Sequence, residues 1–199
     1  MKRESDRSPE EATDEELLDA SADGDRRAFD QLFRRHYAHV FRVAHGALLD
    51  GAEANDVAQE VFVRLYQRPN QWSRVVPLRH FLFQVALNEA LGVRRRLRAF
   101  GRQWYLQRAQ RTPEDAVQRS QTVILLEREL LALQPRQRAA LALYLEADLE
   151  PREIALVMRM TPNATRVLLH RALEQVRQRA QSAGLVLPDD SPQLALEEA

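Results

Sequence analysis

The chain contains no cysteine in 199 residues, so it can form neither a disulfide bond nor a thiolate metal site. It has only six glycines, and the absence of GxGxxG and GxxxxGK motifs argues against a nucleotide phosphate-binding loop. No apolar run approaches the length of a membrane span, and the charged N-terminus lacks the apolar segment of a secretory signal. We therefore expect a soluble cytoplasmic protein without membrane insertion.

A catalytic constellation is also missing. Carboxylates fall mostly on exposed polar faces, and the serines have no paired histidine. His36 and His39, with His45 beyond, could be considered as a metal site, but zinc normally takes four ligands and no cysteine is available to help. We predict no enzyme activity, no catalytic residue, no metal site and no cofactor.

Acidic and basic residues balance overall, with 29 of each, but they are segregated along the chain. Residues 1–25 hold three basic and ten acidic side chains, and residues 182–199 hold four acidic ones and no basic one. Residues 78–111 hold eight arginines against one acidic residue, and residues 151–181 hold six against two. Lys2 is the only lysine, so both basic segments rely on arginine, whose planar fork suits phosphates and base edges.

Hydrophobic periodicity is helical throughout, and no segment shows sustained alternation of a strand. The stretch from Ala99 to about Gln121 is polar and weakly patterned, which is typical of a linker. We therefore predict an all-α fold of two small helical domains joined by a flexible linker. Outside the C-terminal motif described next, helices are expected at Asp14–Ala22, Arg26–Leu49, Ala52–Gln67, Leu78–Arg98, Thr122–Leu133 and Pro135–Glu146.

The segment from Leu149 to Val176 has the pattern of a helix-turn-helix. Pro151 and Pro162 stand where the first turn of a helix tolerates a missing N–H, and Thr161 precedes the second helix as an N-cap. A helix-turn-helix presents its second helix to the major groove of DNA. That helix has one apolar stripe, formed by Thr165, Leu169, Ala172 and Val176, and a polar face with Asn163, Arg166, His170, Arg171 and Arg177.

Two earlier helices have polar faces that allow more than one interpretation. The helix Asp56–Gln67 carries Asp56, Gln59 and Glu60 on one side, with Val63 in the middle. On pattern alone a solvated face is favoured over an acidic docking surface for a basic partner helix.

The helix from Leu78 carries a stripe that suits either base edges and phosphates or solvent. The stripe consists of His80, Gln84, Asn88 and Arg95, and it ends in the run Arg94, Arg95 and Arg96. The aromatic rings of Trp72 and Phe83 could stack on unpaired bases, but core packing is favoured for both.

Taken together, these segments resemble the extracytoplasmic-function group of the sigma-70 family of bacterial transcription initiation factors, from about Asp14 to Arg179. The stretch DVAQEVFVRLY is similar to the family's most diagnostic motif, which binds a coiled coil of the largest polymerase subunits. RHFLFQVALNEALGVRRRLR occupies the place of the segment that melts and reads the −10 promoter element, and the helix-turn-helix looks like the −35-binding domain. The resemblance implies an acidic N-terminal tail at 1–12, a sigma2-like domain at 13–98, a linker at 99–121, a sigma4-like domain at 122–181 and an acidic C-terminal tail at 182–199.

The function implied by this resemblance is that of a dissociable sigma subunit, whose partners are core RNA polymerase and promoter DNA. Whether an anti-sigma factor also binds stays open. The alternatives are a polymerase-independent helix-turn-helix regulator and a module that only sequesters a partner protein. The implied site residues are Asp56, Gln59, Glu60 and Val63 for core polymerase; His80, Gln84, Asn88, Arg94, Arg95 and Arg96 for the −10 element; and Asn163, Thr165, Arg166, Val167, His170 and Arg171 for the −35 element.

Some residues depart from the family's usual pattern. Gln84 replaces a frequent arginine, and Val167 and Leu168 stand where serine and arginine are common. Val167 could contact a thymine methyl group rather than donate a hydrogen bond. Arg159 replaces a frequent turn glycine, which would cost about 1–2 kcal/mol if the left-handed geometry of that turn is kept.

Overall fold

The structure is a computed structural model that describes residues 12–99 and 129–182, with side chains in the first range as far as Val93. Its described part is helical and contains no strand, so the all-α prediction is confirmed. The predicted tails, the linker and most of the helix predicted at Thr122–Leu133 lie outside the described residues, and the predicted domain boundaries stay predictions. The helices are α1 (Asp14–Ala22), α2 (Arg26–Leu48), α3 (Gly51–Gln67), α4 (Leu78–Ala99), α5 (Pro135–Leu145), α6 (Pro151–Met158) and α7 (Pro162–Ser182), and a short 3₁₀ turn spans Pro69–Gln71.

Side-chain caps set the starts of the first three helices. The Thr13 hydroxyl accepts a hydrogen bond from the Glu16 N–H at 3.2 Å, and the Glu16 carboxylate accepts one from the Thr13 N–H at 2.8 Å. This reciprocal capping box satisfies two backbone donors that the helix itself cannot. Asp25 caps α2 and Asp50 caps α3 in the simpler way, with one carboxylate accepting from the first-turn N–H groups.

The last three helices each begin with a proline, at 135, 151 and 162. Proline is tolerated there because the missing N–H would have had no partner within the helix. Thr161 caps α7 as expected: its hydroxyl accepts from the Ala164 N–H at 3.2 Å. The helix-turn-helix expected from the two prolines is therefore present as α6 and α7.

Helix α2 is the centre of the molecule, and α1, α3, α4 and α5 all pack against it. Its buried faces are lined by leucine, valine and alanine, with Leu32, Val40 and Val43 fully buried. Each buried leucine or valine of this kind stabilises the fold by about 1.5–3 kcal/mol relative to exposure.

An aromatic cluster fills the seam between α2 and α3. Phe33 lies 4.6 Å from Tyr37 and 4.9 Å from Phe62 between ring centroids, and Phe29 lies 5.0 Å from Tyr66. Aromatic pairs at these distances add roughly 0.5–1.5 kcal/mol beyond the area that they bury. The seam therefore holds α3 in a defined orientation on α2.

The helices form two groups along the chain, α1–α4 and α5–α7, and these groups are in contact with each other. Helix α5 packs on α2, α6 packs on α4, and the buried side chains of both groups form one connected cluster. At Gly46 the α2–α5 contact leaves no room for a side chain, because an added Cβ would lie 2.4 Å from the Cβ of Ala142. Only glycine allows the two helices to approach so closely at this position.

The turn between α6 and α7 keeps the left-handed geometry expected of this motif. Arg159 has φ 52° and ψ 52° and ends α6, and its N–H donates to the carbonyl of Leu156. A residue with a Cβ in this conformation costs about 1–2 kcal/mol relative to glycine. The helix-turn-helix therefore carries a local strain that its other contacts must outweigh.

One carboxylate of α1, that of Asp14, forms ion pairs with α2. Asp14 accepts from Arg35 Nη1 at 2.6 Å and lies 2.8 Å from His36 Nε2, while Arg35 also donates to the carbonyl of Ala12. Burial would raise the pKa of Asp14, but the hydrogen bonds and charges of His36 and Arg35 outweigh it and lower the pKa below its ordinary value of 3.8.

We predict that Asp14→Asn lowers the free energy of unfolding by about 1–2 kcal/mol at pH 7, since it removes two charge-assisted hydrogen bonds that are partly screened by solvent. Because the pKa of Asp14 is lowered, this contribution is present above pH 3.8 and is lost as the pH falls through the lower pKa of the folded protein. Urea unfolding followed by circular dichroism checks it. Asp19→Asn, which breaks the exposed pair with Arg74, is the control and should change stability less.

Candidate functional site

The polar face of α3 is exposed as one continuous surface. Asp56, Gln59 and Glu60 are exposed, and Val63 lies among them with 46% of its surface accessible. Val57, Val61 and Phe62 on the other side of the helix are buried against α2. The four residues that the sequence singled out on α3 thus share one accessible side.

A groove runs beside this surface, between α2 and α3. Its floor is the aromatic seam, with Phe29, Phe33 and Phe62, and its rim includes Gln59, Val63 and Tyr66. Tyr66 is 50% exposed, which is high for a residue of its size. Sequence analysis missed Tyr66, although its spacing of three residues from Val63 and seven from Gln59 places all three on the same side of a helix. We call the α3 surface and this groove together the α3 face.

An ion-pair network holds Glu60 within the α3 face. Arg64 Nε donates to Glu60 at 2.7 Å, and Arg64 Nη1 donates to Glu89 on α4 at 2.5 Å. The hydrogen bonds that Arg64 donates to the two carboxylates, first to Glu60 and then to Glu89, raise the pKa of Arg64 above its ordinary value. The side chain of Glu60 is therefore positioned by a neighbour that is itself anchored to α4.

The stripe on α4 has a different environment. Asn88 is exposed and Gln84 is half-buried, but His80 is only 5% exposed. The side chains of Arg94, Arg95 and Arg96 lie outside the described residues, so the predicted phosphate-binding run is not tested. Helical spacing correctly placed His80, Gln84 and Asn88 on one side of α4. The expectation that this side is accessible to solvent was wrong for His80, which is buried.

Helix α6 covers the first part of this stripe. Glu153 Oε1 accepts from Arg79 Nη2 at 2.7 Å and lies 3.2 Å from His80 Nε2. The Gln84 amide donates to the carbonyl of Val157 at 3.2 Å, and its oxygen accepts from Arg159 Nη2 at 3.3 Å. The side chains of His80 and Gln84 are thus occupied by the helix-turn-helix itself.

On α7, most residues of the expected DNA-reading face are accessible. Asn163, His170 and Arg171 are exposed, Val167 is 37% exposed, and Arg166 is half-buried. Thr165 was wrongly included in that face: it is fully buried, and its hydroxyl donates to the Thr161 carbonyl. Its position on the apolar stripe with Leu169 already indicated burial, because residues four apart share one side of a helix.

The remaining candidates have structural roles. Trp72 and Phe83 are buried in the core, and the Trp72 indole donates to the Val76 carbonyl at 2.8 Å. His36 is bound to Asp14, and no group of metal-ligating side chains occurs in the part of the chain that the structure describes. Among residues 12–99 and 129–182, no helix has both the length and the apolarity needed to cross a membrane.

Comparisons with known families agree with this architecture. The profile for Sigma-70 region 2 matches residues 32–100, and the profile for Sigma-70, region 4, matches residues 124–176. The first match covers α3 and α4, and the second covers the helix-turn-helix. The chain therefore belongs to the sigma-70 family of transcription initiation factors.

Relatives place it within one group of that family. The chain is 30% identical over 153 residues to the ECF RNA polymerase sigma factor SigM of Mycobacterium tuberculosis, covering 75% of this chain and 74% of the relative. It is 32% identical over 81 residues to the sigma factor CnrH of Cupriavidus metallidurans, covering 41% of this chain and 42% of that one. The chain is a member of the extracytoplasmic-function group: an alternative sigma factor that binds core RNA polymerase and directs transcription initiation at promoters.

Two solved structures share the fold. CnrH in complex with the cytosolic domain of CnrY has a TM-score of 0.62 at 23% identity, covering 83% of this chain and 96% of that one. The sigma factor RpoE of Bartonella quintana, in complex with the anti-sigma factor NepR, has a TM-score of 0.59 at 16% identity, covering 77% and 96%. At these identities the likeness establishes the fold.

The environment of His80 leads to a prediction on its protonation. Burial, and next the charge of Arg79, lower the pKa of His80 below its ordinary value of 6.5, and the facing Glu153 offsets this only in part. Since the pKa is lowered in the folded protein, neutral His80 contributes to the stability of the fold above pH 6.5, and that contribution is lost as the pH falls through the lower pKa.

We expect an NMR titration of the free protein to give His80 a midpoint below 6.5, with the urea-unfolded chain as the reference. A midpoint at or above the unfolded value would contradict the prediction that burial outweighs the facing Glu153 at this side chain.

Proposed function

We propose that the α3 face is the surface that binds core RNA polymerase. The observation that carries this proposal is that Asp56, Gln59, Glu60 and Val63 are accessible together beside an apolar groove. Carboxylates of this kind attract a basic partner and orient it, whereas the groove supplies the apolar area that gives an interface most of its affinity. Tyr66 joins the four residues as an exposed aromatic anchor.

The α4 stripe is proposed to contact the −10 element. Asn88 and Gln84 have amide groups, which can pair with base edges. Further contacts to bases and phosphates would come from His80 and from the run Arg94, Arg95 and Arg96. Opening of the duplex is driven by capture of unpaired bases on the protein surface. In this proposal the sigma factor performs no covalent chemistry, because the polymerase supplies the active site.

The exposed side of α7 is proposed to bind the −35 element through Asn163, Arg166, Val167, His170 and Arg171. A helix with this composition can enter the major groove, where arginine pairs with guanine and an apolar side chain contacts the methyl group of thymine. Thr165 positions α7 from inside the core.

The proposed function also implies where the protein acts and which molecules it binds. We place the protein in the cytoplasm, where core polymerase and promoter DNA are found. The two structural neighbours are sigma factors bound to CnrY and to NepR, which supports an anti-sigma factor as a further partner of this chain. We keep the domain boundaries at 13–98 and 122–181, flanked by the acidic tails and joined by the linker.

Run-off transcription on genomic DNA tests the function directly. With purified core polymerase, addition of this protein should create start sites that are absent with core alone, and the DNA upstream of them should share −10 and −35 sequences. Specific binding of duplex DNA by the isolated protein, with no new start sites and no binding to core, would favour the polymerase-independent regulator instead.

The α3 face leads to a sharper prediction. The double change Asp56→Arg with Glu60→Arg should weaken binding to core polymerase by about 2–4 kcal/mol, because it brings like charges together across the interface. Tyr66→Ala should weaken it by about 1–2 kcal/mol through lost apolar contact. Fluorescence anisotropy of the labelled protein with core measures both effects.

Asp23→Arg is the matched control, since Asp23 is an exposed acidic residue at the end of α1, outside the α3 face. Binding to core that is unchanged by the double reversal, or weakened equally by the control, would exclude the proposed docking surface.

A further inference from the structure

A cavity of about 220 Å³ lies between α2 and α5, away from the residues assigned to polymerase and DNA. Helix α2 contributes Arg42, His45 and Gly46 to its lining, and α5 contributes Arg138 and Leu141. The volume exceeds the ~150 Å³ that can hold one benzene molecule and stays below the roughly 300–1,000 Å³ of pockets for drug-sized ligands. Its size therefore suits a ligand of one ring or a short acyl chain.

A buried cation borders this cavity. Arg138 is only 1% exposed, and within the described part of the chain its three guanidinium nitrogens have no hydrogen-bond partner. Glu146 lines the same cavity, yet it accepts no hydrogen bond from Arg138. Because a guanidinium keeps its charge in proteins, burying it unpaired is costly, and an anion that reaches it offsets that cost. A carboxylate suits this role, since its two oxygens match two N–H donors of the guanidinium fork.

The charges around the cavity limit the charge of the ligand. Arg42 and Arg138 are cationic and Glu146 is anionic, so with His45 counted as neutral the lining has an excess of one positive charge. Arg42 Nη2 lies 2.7 Å from Nδ1 of His39, and a ring nitrogen that accepts this contact leaves the charge of Arg42 uncompensated. One excess positive charge complements a monovalent carboxylate better than a divalent phosphate.

The rest of the lining is largely apolar. It includes Leu49, Leu141 and Leu145, and Leu145 is 60% exposed. Leu49 ends α2 with φ 56°, a left-handed conformation that disfavours any residue with a Cβ and that glycine usually occupies at helix ends. A leucine at this position puts an apolar side chain at the cavity. Side chains of this kind provide the contact area for an apolar ligand body.

We propose that this cavity is a binding site for a small organic monoanion, a carboxylate attached to an apolar body of about one ring. Arg138 binds the carboxylate, Arg42 adds a second positive charge at the rim, and Leu49, Leu141 and Leu145 contact the apolar body. The nitrogens of Arg138 have almost no contact with solvent, so binding turns its side chain toward the ligand, and no hydrogen bond has to break for this turn. Since the ligand contacts α2 and α5 together, it stabilises the folded protein in proportion to its occupancy.

Benzoate is the probe that tests the site, because it joins one carboxylate to one ring. Benzamide keeps the ring without the charge, and acetate keeps the charge without the ring. In an NMR titration of the full-length protein, benzoate should shift the amide signals of Gly46 and Leu145 to saturation. Benzamide and acetate should bind roughly tenfold more weakly, because each lacks one of the two kinds of contact. Equal affinity for benzoate and benzamide, or no benzoate-dependent shift at these amides, would overturn the proposal.

Arg138→Met removes the proposed carboxylate-binding group. An apolar side chain of similar length in place of a buried, unpaired charge should leave the fold intact. Calorimetric titration should show roughly tenfold weaker binding of benzoate and unchanged binding of benzamide. Benzoate affinity equal to that of the wild type would overturn the assignment of Arg138.

A second variant tests the cavity from its rim. Leu145→Glu places a like charge beside the carboxylate and should weaken benzoate binding about fivefold. Leu156→Glu is the matched control, since Leu156 on α6 is 57% exposed and does not line the cavity. Both positions are accessible, so neither change removes a core side chain. Equal weakening by both variants, or by neither, would overturn the site.

Thermal unfolding gives a readout that is independent of spectral shifts. Benzoate should raise the Tm of the wild type more than that of Arg138→Met, because only binding to the folded protein stabilises it. An equal rise in both proteins would overturn the proposal, since benzoate would then act elsewhere. None of these measurements involves polymerase or DNA, so the ligand site and the proposed function can fail separately.

Discussion

The burial of α2 on several sides is the constraint on which the rest of the structure depends. Its leucines and valines face α1, α3 and α4 in the first group of helices, and Gly46 near its end receives α5 from the second. Each proposed functional surface lies on a helix that packs on α2 or contacts one that does. A change at the centre of α2 would therefore disturb the proposed polymerase-binding and DNA-binding surfaces together, although α2 contributes to them only through the groove beside α3, with Phe29 and Phe33.

Helices α3 and α4, which both pack on α2, differ in how far their polar side chains are exposed to solvent. Helix α3 keeps its polar face accessible, so Asp56 and Glu60 can meet a partner without rearrangement. Helix α4 presents His80 and Gln84 to α6, where hydrogen bonds within the chain occupy them. The residues proposed to bind polymerase are thus accessible, whereas two of those proposed to contact the −10 element are held by hydrogen bonds and an ion pair within the chain.

Sequence patterns predicted most of the local structure because local rules decide it. Helices begin at capping residues such as Thr13 and at the prolines at 151 and 162. The left-handed conformation of Arg159 follows from its place in the turn. The accessible side of α3 was predicted for the same reason. The burial of His80 could not be, since it depends on a helix more than seventy residues away that no periodicity connects to it. Thr165 differs, because its burial was readable from its own stripe.

The two carboxylate oxygens of Glu153 make different contacts. Its Oε2 accepts from the Glu150 N–H at 3.0 Å and completes the first turn of α6, while its Oε1 faces Arg79 and His80 across the interface. Departure of α4 breaks the bonds of one oxygen and leaves those of the other intact. The first turn of α6 is therefore capped from within its own helix, whatever becomes of the contact with α4.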